Sequence, residues 1–245
     1  MSGKKNILLT FLFIFFAAVA VMPHFIHAQD VAKYIPDAET AESGMTLWQI
    51  IRAGGEIMLV LALLSIAGLS LIIYYFLTIK PDRMIPLDFL DRTLKLLEDK
   101  KFEDAKKTCE DNSNLLSDIL LAGLARLGRE KVIIKEAMQD EGRRNVDDLW
   151  QKLSYLADVA VISPMVGLLG TVLGMIQAFN VIAFQTGAVK PILLAGGISK
   201  AMVTTATGLI IAIPCMIFHA YFRGKVQNLS SRLENISTDM FHLIT

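Results

Sequence analysis

Three stretches of this 245-residue chain contain no Asp, Glu, Lys or Arg: residues 57–79, 159–189 and 201–222. A bilayer's hydrocarbon core is about 30 Å thick and takes roughly 20 helical residues to cross, so each stretch is long enough to span it. Composition agrees, with 53% of residues hydrophobic and 20% charged, apolar-rich for a globular surface. The 24 Lys+Arg balance the 24 Asp+Glu, which excludes a strongly basic nucleic-acid binder. Two cysteines cannot build a disulfide scaffold. The expected fold class is an all-α membrane protein, with three mature transmembrane helices extended by cytoplasmic helices in a lipid bilayer.

The amino terminus carries Lys4 and Lys5, then an uncharged run from Asn6 to Met22, and reaches Ala28. A positive start, an apolar core and a small residue at a cut site describe a secretory signal over residues 1–28, with an uncleaved anchor as the alternative. In both cases residues 29–53 are an exported, polar arm, with Pro36, Asp37, Glu39 and Glu42, and with Trp48 as an interfacial anchor. Basic residues follow the first span (Lys80, Arg83, Arg92, Lys95) and the last (Arg223, Lys225, Arg232). The positive-inside rule therefore assigns 80–158 and 223–245 to the cytoplasm. Spans are expected at 54–79, 159–185 and 196–222, with a periplasmic loop at 186–195.

The cytoplasmic stretch reads as amphipathic helix throughout. Pro81 and Pro86 close the first span and open a new helix, on which Leu87, Leu90, Leu94 and Leu97 recur at helical spacing. Phe102, Ala105 and Cys109 mark another short helix. Ser113 is the expected cap of a helix over 115–126. Residues 130–158 present Val132, Ile133, Leu149, Leu153 and Leu156 and are expected to run straight into the second span.

No phosphate loop, HExxH, CxxC or GxSxG occurs, and the four histidines (His24, His27, His219, His242) lack ligand spacing. The sequence implies no enzyme, no metal site, no cofactor and no nucleic acid. Its chemistry lies in the spans. Gly167, Gly170, Thr171, Gly174 and Ala178 share one narrow face of the second, and Gly197, Ala201, Thr204, Thr205, Gly208 and Ala212 repeat it in the third. Such faces let membrane helices approach closely. Their hydroxyls either bond their own helix or line a wet passage, since a hydroxyl both donates and accepts. No Asp, Glu or His lies within residues 159–185 or 201–218, so protons crossing here need an acid brought by a partner.

PMVGLLGTVLGMI from Pro164 and GISKAMVTTATGLIIAIP from Gly197 resemble the two signature helices of the MotA/TolQ/ExbB proton channel family, its ExbB members above all. The resemblance implies a homo-pentameric ring whose second and third spans line a pore. A single-span partner like ExbD or TolR supplies a membrane aspartate there, and a protein like TonB carries the work to outer-membrane transport. It implies the bacterial inner membrane, an exported amino terminus and a cytoplasmic carboxyl terminus. Thr171 and Thr205 match the family's pore threonines. Lys200 departs from the glutamate that many members carry and either snorkels outward, or meets an acid of the partner or tunes the entry of protons. A TolQ-like role in envelope maintenance and a non-conducting scaffold are the alternatives.

Overall fold

The computed structural model describes residues 55–80, 84–112, 114–184 and 191–244, and every regular element among them is helical. The expected signal, the exported arm with Trp48, and Pro81, Arg83 and Ser113 lie outside the described residues. In chain order the helices are α1 (Glu56–Thr78), α2 (Leu87–Glu98), α3 (Phe102–Glu110), α4 (Leu115–Leu124), α5 (Lys131–Phe184) and α6 (Pro191–Ile244). By length and composition, α1, α5 and α6 are each able to cross a membrane.

Lys131 begins one uninterrupted 54-residue helix that continues through the second apolar stretch, as the mixed-charge pattern predicts. α6 is equally long, carries Pro191 as its first residue and starts inside the stretch expected to be loop. Proline suits a first turn, where its missing N–H has no helical partner to lose.

The chain forms two compact units. One comprises the described residues up to Gly68 with Val159–Pro214, and the other Leu69–Asp158 with Cys215–Thr245. The second unit is held by a dense apolar core. Tyr75, Leu97, Leu116, Leu120, Leu153, Leu156, Phe222 and Met240 are all buried there. The Tyr75 hydroxyl donates to the Lys152 carbonyl. Its ring meets Phe222 edge-to-face at 5.7 Å, and Phe76 meets Phe218 and Phe222 edge-to-face at 5.6 and 5.0 Å. These contacts fix α1, α5 and α6 at one level by matching ring edges to ring faces. Lys225 closes the cluster. Its ammonium donates to the Ile79 carbonyl at the end of α1 (3.3 Å) and lies 5.0 Å from the centre of the Tyr221 ring, where a cation offsets the helix's negative end.

Several local expectations need correction. On α2 the buried face is Phe89, Thr93 and Leu97, while Leu87 is 71% exposed. Thr93 is tolerated in the interior because its hydroxyl donates to the Phe89 carbonyl at 2.7 Å. The cap of α4 is Asn114, whose side chain accepts from Leu116 and Ser117 while the Ser117 hydroxyl accepts from the Asn114 N–H. α4 ends at Leu124 rather than at residue 126. At the start of α5 the core residues are Ile134 and Met138, and Val132 and Ile133 are exposed. Counting back from Leu156, Leu153 and Leu149 in steps of three and four reaches 142, 138 and 134, so helical periodicity selects these positions. Gly128, at φ 82°, turns the chain between α4 and α5 in a left-handed conformation that glycine adopts without strain.

Candidate functional site

In the first unit α5 and α6 approach so closely that their contact is built from glycines and small side chains. A methyl group added at Gly208 would sit 2.5 Å from the Ser163 carbonyl oxygen, and one at Gly167 2.8 Å from that of Thr204. At Gly174 the obstacle is Ala201 (2.9 Å), at Gly197 it is Ala178 (2.6 Å), and at Gly170 it is the Thr204 hydroxyl. Pairs running 163–208, 167–204, 174–201 and 178–197 are an antiparallel register. The sequence places small residues three and four apart, and the fold turns both small faces onto each other.

Hydroxyls bind the seam. Thr205 donates to the Gly167 carbonyl at 3.0 Å, and Thr204 lies 3.2 Å from the same oxygen and 2.7 Å from its own helix's Ala201 carbonyl. Ser163 and Thr207 bond carbonyls four residues back, at 2.6 and 2.8 Å. Thr171 bonds the Leu168 carbonyl of its own turn at 2.7 Å. Thr205 is therefore part of the α5–α6 contact, whereas Thr171 is half-buried and satisfied within α5. Lys200 stands on α6, and its side chain lies outside the described residues.

Among the described residues no group of three or more His, Cys, Asp or Glu is placed to hold a metal ion. Cys109 is buried, and burial, with the Glu110 and Asp118 carboxylates adding to it, pushes its thiol up to about 12. A thiol so protonated is no nucleophile.

The opposite face of α5 is bare and apolar. Val161, Met165, Leu168, Val172, Ile176 and Phe179 are each at least 43% exposed, more apolar surface than an isolated soluble chain presents to water. Such a helix has lipid or other helices as its surroundings.

A long-helix membrane protein with a glycine seam laced by hydroxyls is the class these features define. A model described as the MotA/TolQ/ExbB proton channel family matches residues 111–235, half of the chain and the greater part of α5 and α6. The chain belongs to the MotA/TolQ/ExbB proton channel family. It is 52% identical over 64 residues to biopolymer transport protein exbB1 of Vibrio cholerae, covering 26% of this chain and 28% of that one. It is 36% identical over 89 residues to biopolymer transport protein ExbB of Salmonella typhimurium, covering 36% of each. The Tol-Pal system protein TolQ of Haemophilus influenzae is 37% identical over 108 residues, or 44% of each chain. The chain thus matches about a third of the length of the first of these relatives.

Proposed function

We propose that this chain is the ring-forming subunit of an inner-membrane motor of the ExbB kind, which spends the proton motive force on transport across the outer membrane. Five copies enclose a pore lined by the apolar parts of α5 and α6. A single-span ExbD- or TolR-like partner sits in it and brings the membrane aspartate. A TonB-like protein carries the work outward. The amino terminus is periplasmic and the carboxyl terminus cytoplasmic.

The observation that carries this reading is the Gly167–Thr205 seam, which falls within the family match over residues 111–235. A hydroxyl that donates to a carbonyl keeps its lone pairs free to accept, so Thr205 is able to hold water or a protonated carboxyl beside it. Thr171, half-buried, is suited to the same role. The TolQ relative of Haemophilus influenzae supports a second reading, envelope maintenance with a TolR-like partner.

Lys200 faces the outer end of the pore in this scheme and meets an acid of the partner. Loss of energised function in Lys200→Ala supports that contact, and unchanged function in both Lys200→Ala and Lys200→Glu removes it. For the function as a whole, the test is native mass spectrometry of the purified complex with proton uptake into proteoliposomes. A five-fold ring holding a small single-span protein, and uptake that fails in Thr171→Ala and Thr205→Ala rings of normal mass, supports the motor. A ring that passes no protons with its partner in place is a scaffold.

A further inference from the structure

The charge-free stretch of α5 begins at Val159, which leaves Asp158 outside the membrane when the sequence is read alone. Helix pairing in the second unit puts it inside. Tyr75 of α1 bonds Lys152 of α5 and packs on Phe222 of α6, so these residues share one level. Asp158 lies six residues beyond Lys152 along α5, about 9 Å at 1.5 Å per residue. In the same direction α1 carries no charge before Glu56 and α6 none before Lys200. Their nearest charges, Arg223 and Lys80, lie at or beyond the level of Tyr75 on the cytoplasmic side, Lys80 about 7 Å further out. With the three helices set across a bilayer, this register carries Asp158 roughly 9 to 16 Å into the apolar zone, whose half-thickness is about 15 Å.

Its side chain is exposed, on the face of α5 turned away from the buried Leu153, Leu156 and Ala160. No ion pair or hydrogen bond among the described residues involves its carboxylate. Below it the same face carries Ser154, Gln151 and Asp147, all exposed, in steps of four, three and four that keep them in one line. Above it the line turns apolar, with Ile162 and Met165 exposed. Asp147, at the bottom, opens on a cavity of about 210 Å³ with Arg143, Gln139, Glu234 and Ser237 in its walls. A polar track thus rises from the cytoplasmic cavity and stops at one unpartnered carboxylate. Intramembrane carboxylates face bundle interiors or water and mark ion and proton paths.

We infer that Asp158 is the proton acceptor on the cytoplasmic side of the channel. It takes protons delivered from the pore and passes them through water held along Ser154 and Gln151 to Asp147 and the cavity. Each transfer moves one proton between oxygen atoms and needs no other reactant. The inference rests on the proposed proton-conducting function and adds to it an acid of this chain's own, distinct from the partner's. Other titratable groups near that depth are Tyr74, Tyr75 and Tyr155, with Cys215, His219 and Tyr221 on α6, and Arg223 just below.

The test uses the complex with its partner in proteoliposomes containing a pH-sensitive dye. Asp158→Asn is expected to lower proton uptake by roughly tenfold or more, and Asp158→Glu to restore most of it, with the ring mass unchanged in both. Infrared difference spectra on acidification are expected to lose a protonated-carboxyl band in Asp158→Asn. Equal uptake in Asp158→Asn and wild type overturns the inference while leaving the channel standing. A ring that falls apart in both variants overturns it too, by making Asp158 a contact between copies. A wild-type complex that passes no protons overturns the proposed function itself.

Discussion

The Thr205 hydroxyl of α6 donates to the carbonyl of Gly167 on α5 at 3.0 Å. That carbonyl lies within the close contact of the two helices, where a glycine Cα leaves it open from the side. Thr204 also reaches it at 3.2 Å but has a second acceptor in Ala201 at 2.7 Å. One hydroxyl has one proton, so Thr205 supplies the more constant bond. Thr205→Val, which keeps the shape, is expected to cost about 0.5–2 kcal/mol in the helix pairing, and Thr205→Ser close to nothing. Thr204→Val is expected to cost less than Thr205→Val. Unfolding of the detergent-solubilised protein, followed by circular dichroism, ranks the three. A larger loss in Thr204→Val reverses the assignment.

The glycines divide into those that contact the neighbouring helix and those that do not. At Gly208 an added methyl would lie 2.5 Å from the Ser163 backbone oxygen, whereas at Gly224 nothing lies within 4 Å. Backbone does not move aside as a side-chain tip does, so Gly208→Ala is expected to destabilise by about 1–3 kcal/mol. Gly224→Ala, inside the same helix, is expected to stabilise by roughly 0.4–1 kcal/mol through the restricted unfolded chain. Opposite signs for the two substitutions in one unfolding assay is the expected outcome.

The three long apolar helices and the continuity of α5 were legible in the sequence, because an absence of charge over more than twenty residues and a 3.6-residue period are local signals. The small faces were legible for the same reason: Gly167, Gly170 and Gly174 line up on any helix. The depth inferred for Asp158 was not. It depends on which residue of α1 stands beside which residue of α5, and the Tyr75–Lys152 bond that sets this register joins positions 77 apart in the chain. The line Asp147, Gln151, Ser154, Asp158 was visible as spacing, yet it reads as a solvated face until that register is known. Asn114 was overlooked beside Ser113 because both are good caps, and only the backbone decides which residue leaves the helix.

Asn114 and Ser117 satisfy three of the four N–H groups that open the helix, the side-chain oxygen of one accepting from Leu116 and Ser117 and the hydroxyl of the other from the cap. Asn114→Ala removes the stronger half of this exchange and is expected to cost about 1 kcal/mol. Asn114→Asp is expected to retain stability, since aspartate caps equally well and adds negative charge at the positive end of α4. Hydrogen exchange at the Leu116 and Ser117 amides reports the change directly. Unchanged protection in Asn114→Ala contradicts the capping role.

Cys109 makes a prediction whose sign is fixed by its burial. The thiol is pushed up to about 12 in the folded chain, against about 8.5 for an exposed thiol. Below the unfolded value both states hold the proton and the cysteine contributes its full packing. Between about 8.5 and 12 the unfolded chain releases its proton and the folded one keeps it, so stability falls with rising pH, by up to roughly 1.4 kcal/mol per pH unit. Cys109→Ala is expected to be less stable at pH 7, through the small cavity beside Ala105, and to have a flatter stability profile above pH 9. The native thiol is expected to resist iodoacetamide at pH 8, where an unfolded control reacts. Rapid native alkylation, or identical pH slopes in wild type and Cys109→Ala, means that the thiol is in contact with water and that α3 is not seated as described.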